Sequence, residues 1–577
     1  MRKWLIALLA VTLALSWVPL KAAQAASIIK TEDGLEFKFG LVEKVQFYTL
    51  NGADFTENVP SCKAGGGQCN FRSFVSPDTN IGDSQLNIFN FTNLLFDLSK
   101  GPLSIHINLE NEARIDENVA DINHLNLERA SLTYKTPGFG DLTIGFDVHL
   151  FDPEGGLVYQ DEDPGIWLVG SQGMFSWNLG YHKRLSRNGG APLGTFLQAI
   201  ALGSAFADGR ARSIDVDTDI LEGRVGLNFG PILSVSPFFL ANIRHTRQGG
   251  DLFACPTNAL GAGLTCSGIP GVSGGRSEIY YPGVVVTSKI GPLSLTAEAV
   301  GQFGEIRELG ASQVALYGKD KLDIESFAVF AEVALDLSAQ GFGLTPYINL
   351  DYRRGDDSPL DGSLGGYVAI SDLSQALRKD GFRLQSIQSL GAVTLGNGGE
   401  DGWGFNTSGR GVGPTIGTIL EGLSTSSTFN SRFGKADNPG LLKLSAGVLG
   451  KVNSMWDTHI GMSYIRFDTV EPIKIEAALN RDSRLPALTP PACVAAGPAN
   501  SGARAKCLAN TLSVSEDAGV EFSFNVGYSP VPAFRIQPFV SVFVPLAAAD
   551  DISRLFLSND GSTRTAYTAG VEFRAQF

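Results

Sequence analysis

Beyond residue 25 the sequence has no apolar run near the roughly 20 residues that a membrane-spanning helix needs, which excludes a helical membrane bundle. Basic residues are outnumbered, 45 Lys and Arg against 59 Asp and Glu, which argues against a nucleic-acid partner. Histidines are few: His106, His124, His149, His182, His245 and His459. No His-Glu-x-x-His occurs, and the six cysteines form neither a Cys-x-x-Cys nor a haem-attachment Cys-x-x-Cys-His. These absences leave no signal for a metal, a cofactor or an enzyme.

The N-terminus carries a basic head (Arg2, Lys3), an apolar run from Trp4 to Leu20 and an Ala23-Gln24-Ala25 exit, the order of a secretory signal peptide over residues 1–25. Three of the bases fall in that leader, so residues 26–577 are more acidic than the whole chain. An exported chain without spanning helices can enter a membrane only as a closed barrel, because backbone polar groups must pair internally in hydrocarbon.

Alternation carries the fold assignment. Leu103, Ile105, Ile107, Leu109, Ala113 and Ile115 share one strand face, against Ser104, His106, Asn108, Glu110, Glu112 and Arg114 on the other. Leu142, Ile144, Phe146, Val148 and Leu150 oppose Asp141, Thr143, Gly145, Asp147 and His149; Val520, Phe522, Phe524, Val526 and Tyr528 oppose Glu521, Ser523, Asn525 and Gly527. The pattern recurs throughout the chain, far beyond the size of one sandwich core. Short Gly-Pro turns (Gly101-Pro102, Gly230-Pro231, Gly291-Pro292) join strands at one end, and long Gly/Ser/Asp-rich loops join them at the other. That asymmetry is the one between periplasmic turns and extracellular loops.

The spacing predicts an all-β, antiparallel up-and-down transmembrane barrel of about eighteen strands. They are expected near 35–50, 84–98, 103–116, 124–135, 141–151, 165–172, 173–184, 213–229, 232–246, 277–290, 293–304, 323–338, 344–354, 440–450, 456–468, 513–528, 533–547 and 564–577. Residues 194–206 are read as loop; as strands, they and their neighbours would raise the count to twenty. Cys62/Cys69, Cys255/Cys266 and Cys493/Cys507 each fall within one outer loop, the pattern of three local disulfides in an exported chain.

Tyr567, Ala569, Val571, Phe573, Ala575 and Phe577 alternate to the last residue, and Asn126–Phe146 reads NLERASLTYKTPGFGDLTIGF. On these features the chain resembles the outer-membrane porin superfamily. Its length, loops and Asn438-Pro439-Gly440-Leu441 are similar to the eighteen-stranded alginate-export type. The resemblance implies a Gram-negative outer membrane, contact with lipid and lipopolysaccharide, recognition of Phe577 by the barrel assembly machinery, and a possible homotrimer.

Candidate pore-lining charges are Lys38, Lys44, Glu110, Glu112, Arg114, Arg129, Asp351, Arg353, Glu521, Arg535, Glu572 and Arg574; opposed charges at a constriction orient solutes. The alternative for each is a solvated cross-strand pair. Loop 151–165 gathers Asp152, Glu154, Asp161, Glu162 and Asp163, which folded inward would narrow the pore, favour cations or offer oxygen ligands to Ca²⁺. The insert 355–438 is long enough to plug or gate a lumen. Arg354-Gly355-Asp356 reads as a turn. The expected function is a water-filled channel for passive diffusion of small hydrophilic solutes or ions. The alternatives are a gated transporter of one substrate, such as an acidic polysaccharide, and a sheath for a partner such as a cytochrome.

Overall fold

The structure is a computed structural model that describes residues 27–51, 85–115, 120–122, 126–147, 149–152, 154, 156–161, 164–183, 218–245, 276–309, 314, 317–367, 369–372, 439–484, 490–497, 502–556 and 565–577. Eighteen strands form its wall. They are β1 (Leu35–Asn51), β2 (Gln85–Lys100), β3 (Leu103–Ile115), β4 (Asn126–Thr136), β5 (Gly140–Phe146), β6 (Pro164–Gln172), β7 (Phe175–Lys183), β8 (Thr218–Phe229) and β9 (Leu233–Arg244). The second half comprises β10 (Arg276–Ile290), β11 (Leu293–Arg307), β12 (Lys321–Leu335), β13 (Leu344–Arg353), β14 (Leu441–Lys451), β15 (Trp456–Arg466), β16 (Asp517–Val531), β17 (Phe534–Pro545) and β18 (Ala566–Gln576).

Each wall strand pairs antiparallel with its neighbours, and β1 pairs with β18 to close the sheet. The seam runs through Lys44 opposite Arg574 and continues to Phe577, whose N–H donates to the Leu41 carbonyl at 2.8 Å while Leu41 returns a bond at 3.1 Å. Closure leaves no unpaired edge, as hydrocarbon requires. Gly101, Gly230 and Gly291 open the short turns with φ between 58° and 67°, a region open to glycine at little cost.

Alternation sets the faces. Phe522 is 46% exposed on the outside of β16, whereas Glu521 is 2% exposed toward the lumen. Ile144, Leu221, Phe239, Phe327, Ile460 and Phe524 continue the outer apolar band. Aromatic rings line its edges: Phe239 on Tyr280, Phe327 on Tyr352, and Trp456 on Tyr528 toward the turn end.

Near the loop end of β10–β12 the alternation inverts. Leu322 and Ile324 point inward, while Lys321, Asp323 and Glu325 point out; Ile306 is inside, between outward Glu305 and Arg307. Lys321 pairs with Asp323 at 3.2 Å and also with Glu305, which pairs with Arg307. Charges cannot face lipid cheaply, so this part of the wall stands above the hydrocarbon and packs apolar residues inside, as a soluble sheet would.

Several expectations are corrected. The strand expected over 141–151 ends at Phe146, because the chain turns into the lumen; His149–Leu150 instead pairs with Tyr159–Asp161. The loop after β15 contains helices α1 (Glu471–Arg484), α2 (Pro491–Ala495) and α3 (Gly502–Ala509), and α4 (Ala547–Phe556) follows β17. Cys493 and Cys507 form a disulfide between α2 and α3, with Cα atoms 5.4 Å apart. Cys62, Cys69, Cys255, Cys266, residues 1–25, residues 194–206 and most of the long insert lie outside the described residues.

Candidate constriction site

The loop after β5 folds onto the lumen wall of β8–β12. Phe151, Leu157, Val158 and Tyr159 are buried against Ile220, Phe238, Ile279 and Tyr281, with Phe151 edge-on to Phe238 at 5.5 Å. Burial of these four side chains contributes on the order of 1.5–3 kcal/mol each before the entropy of ordering the loop is subtracted.

Polar groups fix its register. Arg224 of β8 grips both Glu154 oxygens at 2.8 and 2.6 Å and donates to the Phe151 carbonyl at 3.0 Å. Such a planar two-point grip fixes direction as well as distance. Asp152, fully buried, accepts from the Val158 N–H at 2.7 Å and the Tyr159 N–H at 3.1 Å, closing the loop on itself. Its carboxyl is pushed up to about 6: burial raises it, against hydrogen bonds from the Glu298 carboxyl and these two amides and the charge of Arg224.

The first part of the long insert joins both the wall and the loop. Ser363–Leu364 pairs in parallel with Asp323–Ile324 of β12, and Ser371–Asp372 with Tyr159–Gln160. Tyr367 donates its hydroxyl to the Leu157 carbonyl at 2.6 Å, and the Ile370 N–H donates to the Val158 carbonyl at 2.9 Å. Asp356 of the Arg-Gly-Asp string accepts from the Ser358 and Gly365 amides at 3.0 and 3.1 Å, so it braces a turn.

The remaining expected residues are scattered along the wall. Lys44 and Glu572 pair at 3.5 Å across the seam, and Arg353 meets Asp351 at 3.1 Å on its own strand. Arg535 grips Asp457 at 2.6 and 2.7 Å, crossing Gly527, where a Cβ would collide with the guanidinium. Arg574 stands in register between Lys44 and Arg535. Glu521 is buried, Glu110 and Arg129 are half-buried, and Lys38 is exposed opposite Asp97. Glu112, Arg114 and Asp161 have described backbones only, and Glu162 and Asp163 lie outside the described residues. Asp152 and Glu154 are engaged by backbone amides and Arg224, not turned toward passing solutes.

Sequence reading missed Arg224, Glu298, His149, His182 and Glu222. The last three converge: Glu222 Oε1 touches His149 Nε2 and lies 3.4 Å from His182 Nε2, although the residues are separated by whole strands in sequence. One available signal was glycine: a Cβ on Gly180 would strike Glu222, and one on Gly165 would strike His182. One Gly-x-Ser-x-Gly string does occur, Gly271–Gly275, outside the described residues.

No family model and no curated protein matches the chain. Among solved structures it is similar to Pseudomonas aeruginosa OccK2 (OpdF), at 10% identity over 94% of this chain and 98% of that one, with a TM-score of 0.43. It is also similar to Pseudomonas aeruginosa OccD3 (OpdP), at 9% over 98% and 97% with a TM-score of 0.42, and to Pseudomonas putida OprB, at 11% over 94% of both with a TM-score of 0.35. These likenesses are too distant to carry residues across. The chain's own closure, apolar outer face, polar inner face and one-sided long loops make it an outer-membrane β-barrel of porin architecture.

Proposed function

We propose that the chain forms a water-filled channel for passive diffusion of small hydrophilic solutes or ions, not an enzyme. One observation carries this: a closed ring of eighteen strands whose inner face is polar over β13–β18, at Ser445, Ser463, Glu521, Ser523, Asn525 and Glu572. An eighteen-stranded barrel is wide enough to leave an aqueous path beside the docked loops. In a closed ring of eighteen, β17, β18 and β1 stand opposite β8–β10. The row of Lys44, Arg574 and Arg535 lies across the ring from the docked loops, with Lys44 buried against Glu572. The local field there is basic and tempered by Glu572 and Asp457, so ion preference is weak.

The test is planar-bilayer conductance of the full chain and of a form lacking 373–435. Steady conductance in both forms supports the diffusion channel. Conductance only after deletion moves the reading to a gated transporter, which the insert's attachment to the constriction loop favours as the second reading. No conductance from either folded form sinks the channel and points to a sheathed partner.

The outer rim charges of Arg307, Lys321 and their acidic neighbours are assigned to lipopolysaccharide, and Phe577 to the barrel assembly machinery. A homotrimer would use β1–β3, where Glu43, Thr92 and Asn111 form a polar row on the outer face and Thr92 donates to Glu43 at 2.6 Å. Native mass measurement in detergent decides the last.

A further inference from the structure

We propose that His149, His182 and Glu222 form a binding site for one divalent transition-metal ion, zinc above all, which staples the constriction loop to the wall. The inference does not depend on what crosses the channel. His149 belongs to the inward loop, His182 to the lumen face of β7 and Glu222 to that of β8. All three side chains are at most 2% exposed, and their nearest ligand atoms lie within 4.8 Å of one another.

Three features distinguish the cluster from an ordinary wall ion pair. His182 Nδ1 and Glu222 Oε2 are buried with no hydrogen-bond partner, and His149 Nε2, His182 Nε2 and Glu222 Oε1 face only one another. Buried polar atoms left this way are costly, and an ion that accepts their lone pairs removes the cost. The spacing is also suited to an ion. Two ligands about 2.0–2.1 Å from a tetrahedral zinc stand roughly 3.3 Å apart. His182 Nε2 and Glu222 Oε1 are separated by 3.4 Å. His149 sits closer than that to Glu222 and must withdraw slightly, which its place on a two-residue strand permits.

The surroundings hold the ligands in place. Trp167 stacks on the His182 ring at 5.4 Å, and Tyr159 meets it edge-on at 5.5 Å. Gly165 and Gly180 leave the space the cluster fills. Two imidazoles and one carboxylate select a transition metal over Ca²⁺ or Mg²⁺, which take oxygen ligands. Three protein ligands leave a fourth position for water.

The test uses the full-length folded protein in detergent, stripped with EDTA, incubated with Zn²⁺, desalted and assayed for metal by mass spectrometry. The expected result is about one zinc per chain, falling at least tenfold in both His182→Ala and Glu222→Gln. Glu222→Gln keeps the shape of the wall, and heat-modifiable migration on gels checks that both variants fold. Cobalt in place of zinc should give a visible absorption band in the parent that neither variant shows. Retention of less than a tenth of an ion per chain by the parent overturns the proposal. So does equal retention by the folded variants, which would mean adventitious binding elsewhere.

Discussion

Two lumen surfaces on one barrel obey opposite rules. On β16 the inward residues are Glu521, Ser523 and Asn525, and the outward ones are Phe522 and Phe524. On the outer half of β12 the inward residues are Leu322 and Ile324, and the outward ones Lys321, Asp323 and Glu325. Both segments alternate with period two. What differs is the solvent on each side: lipid outside β16, and water outside the rim of β12, whose inside is covered by folded chain. Alternation therefore reports that the two faces differ, and not which face is apolar.

The largest test of this contrast is Arg224→Ala. It leaves Glu154 without its partner and removes the cation beside Asp152 and Glu298, at a cost of about 3 kcal/mol to loop docking. Hydrogen exchange in residues 149–161 should accelerate by roughly two orders of magnitude while the barrel amides stay protected. Unchanged exchange would mean that apolar contacts alone hold the loop.

Leu322→Ala should cost about 3 kcal/mol of docking by opening a cavity under segment 360–370, whereas Phe522→Ala, which faces lipid, should leave docking unchanged. Chemical unfolding and limited proteolysis of the insert separate the two. Equal effects would erase the distinction between the walls.

Acidity supplies a third test. Asp152 titrates near 6 when docked and at its ordinary 3.8 when released, so docking is fully favoured below about pH 4 and weakens as pH rises through 6. Proteolysis of the loop should be faster at pH 8 than at pH 5, and Asp152→Asn should remove most of that difference. A persistent pH dependence in the variant would assign it elsewhere. The smallest expected effect is Arg307→Ala on the outer rim, less than about 1 kcal/mol because the side chain is largely exposed. A larger loss in thermal unfolding would show that the rim charges act as a network.

The wall itself was legible in the sequence. Each of the eighteen expected ranges overlaps a wall strand, because alternation and Gly-Pro turns are local and each strand needs only its neighbours, although the one over 141–151 stops at Phe146. The inward course of 147–161 was legible only as a cluster of acids, and the reading of those acids was incomplete. Asp152 and Glu154 serve the loop's own amides and Arg224, partners that no local pattern reveals. The helices after β15 were missed because their apolar positions belong to a cluster assembled from distant strands and loops.

Composition, alternation and turns by themselves determined a closed antiparallel barrel of about eighteen strands, since backbone pairing in hydrocarbon admits no other solution for such a chain. Which loop enters the lumen, which wall it covers and which three side chains meet at His149, His182 and Glu222 were decided only by the tertiary structure. Barrel closure brings together residues from β7, β8 and the loop after β5, and their side chains meet through register and curvature that no stretch of sequence encodes alone.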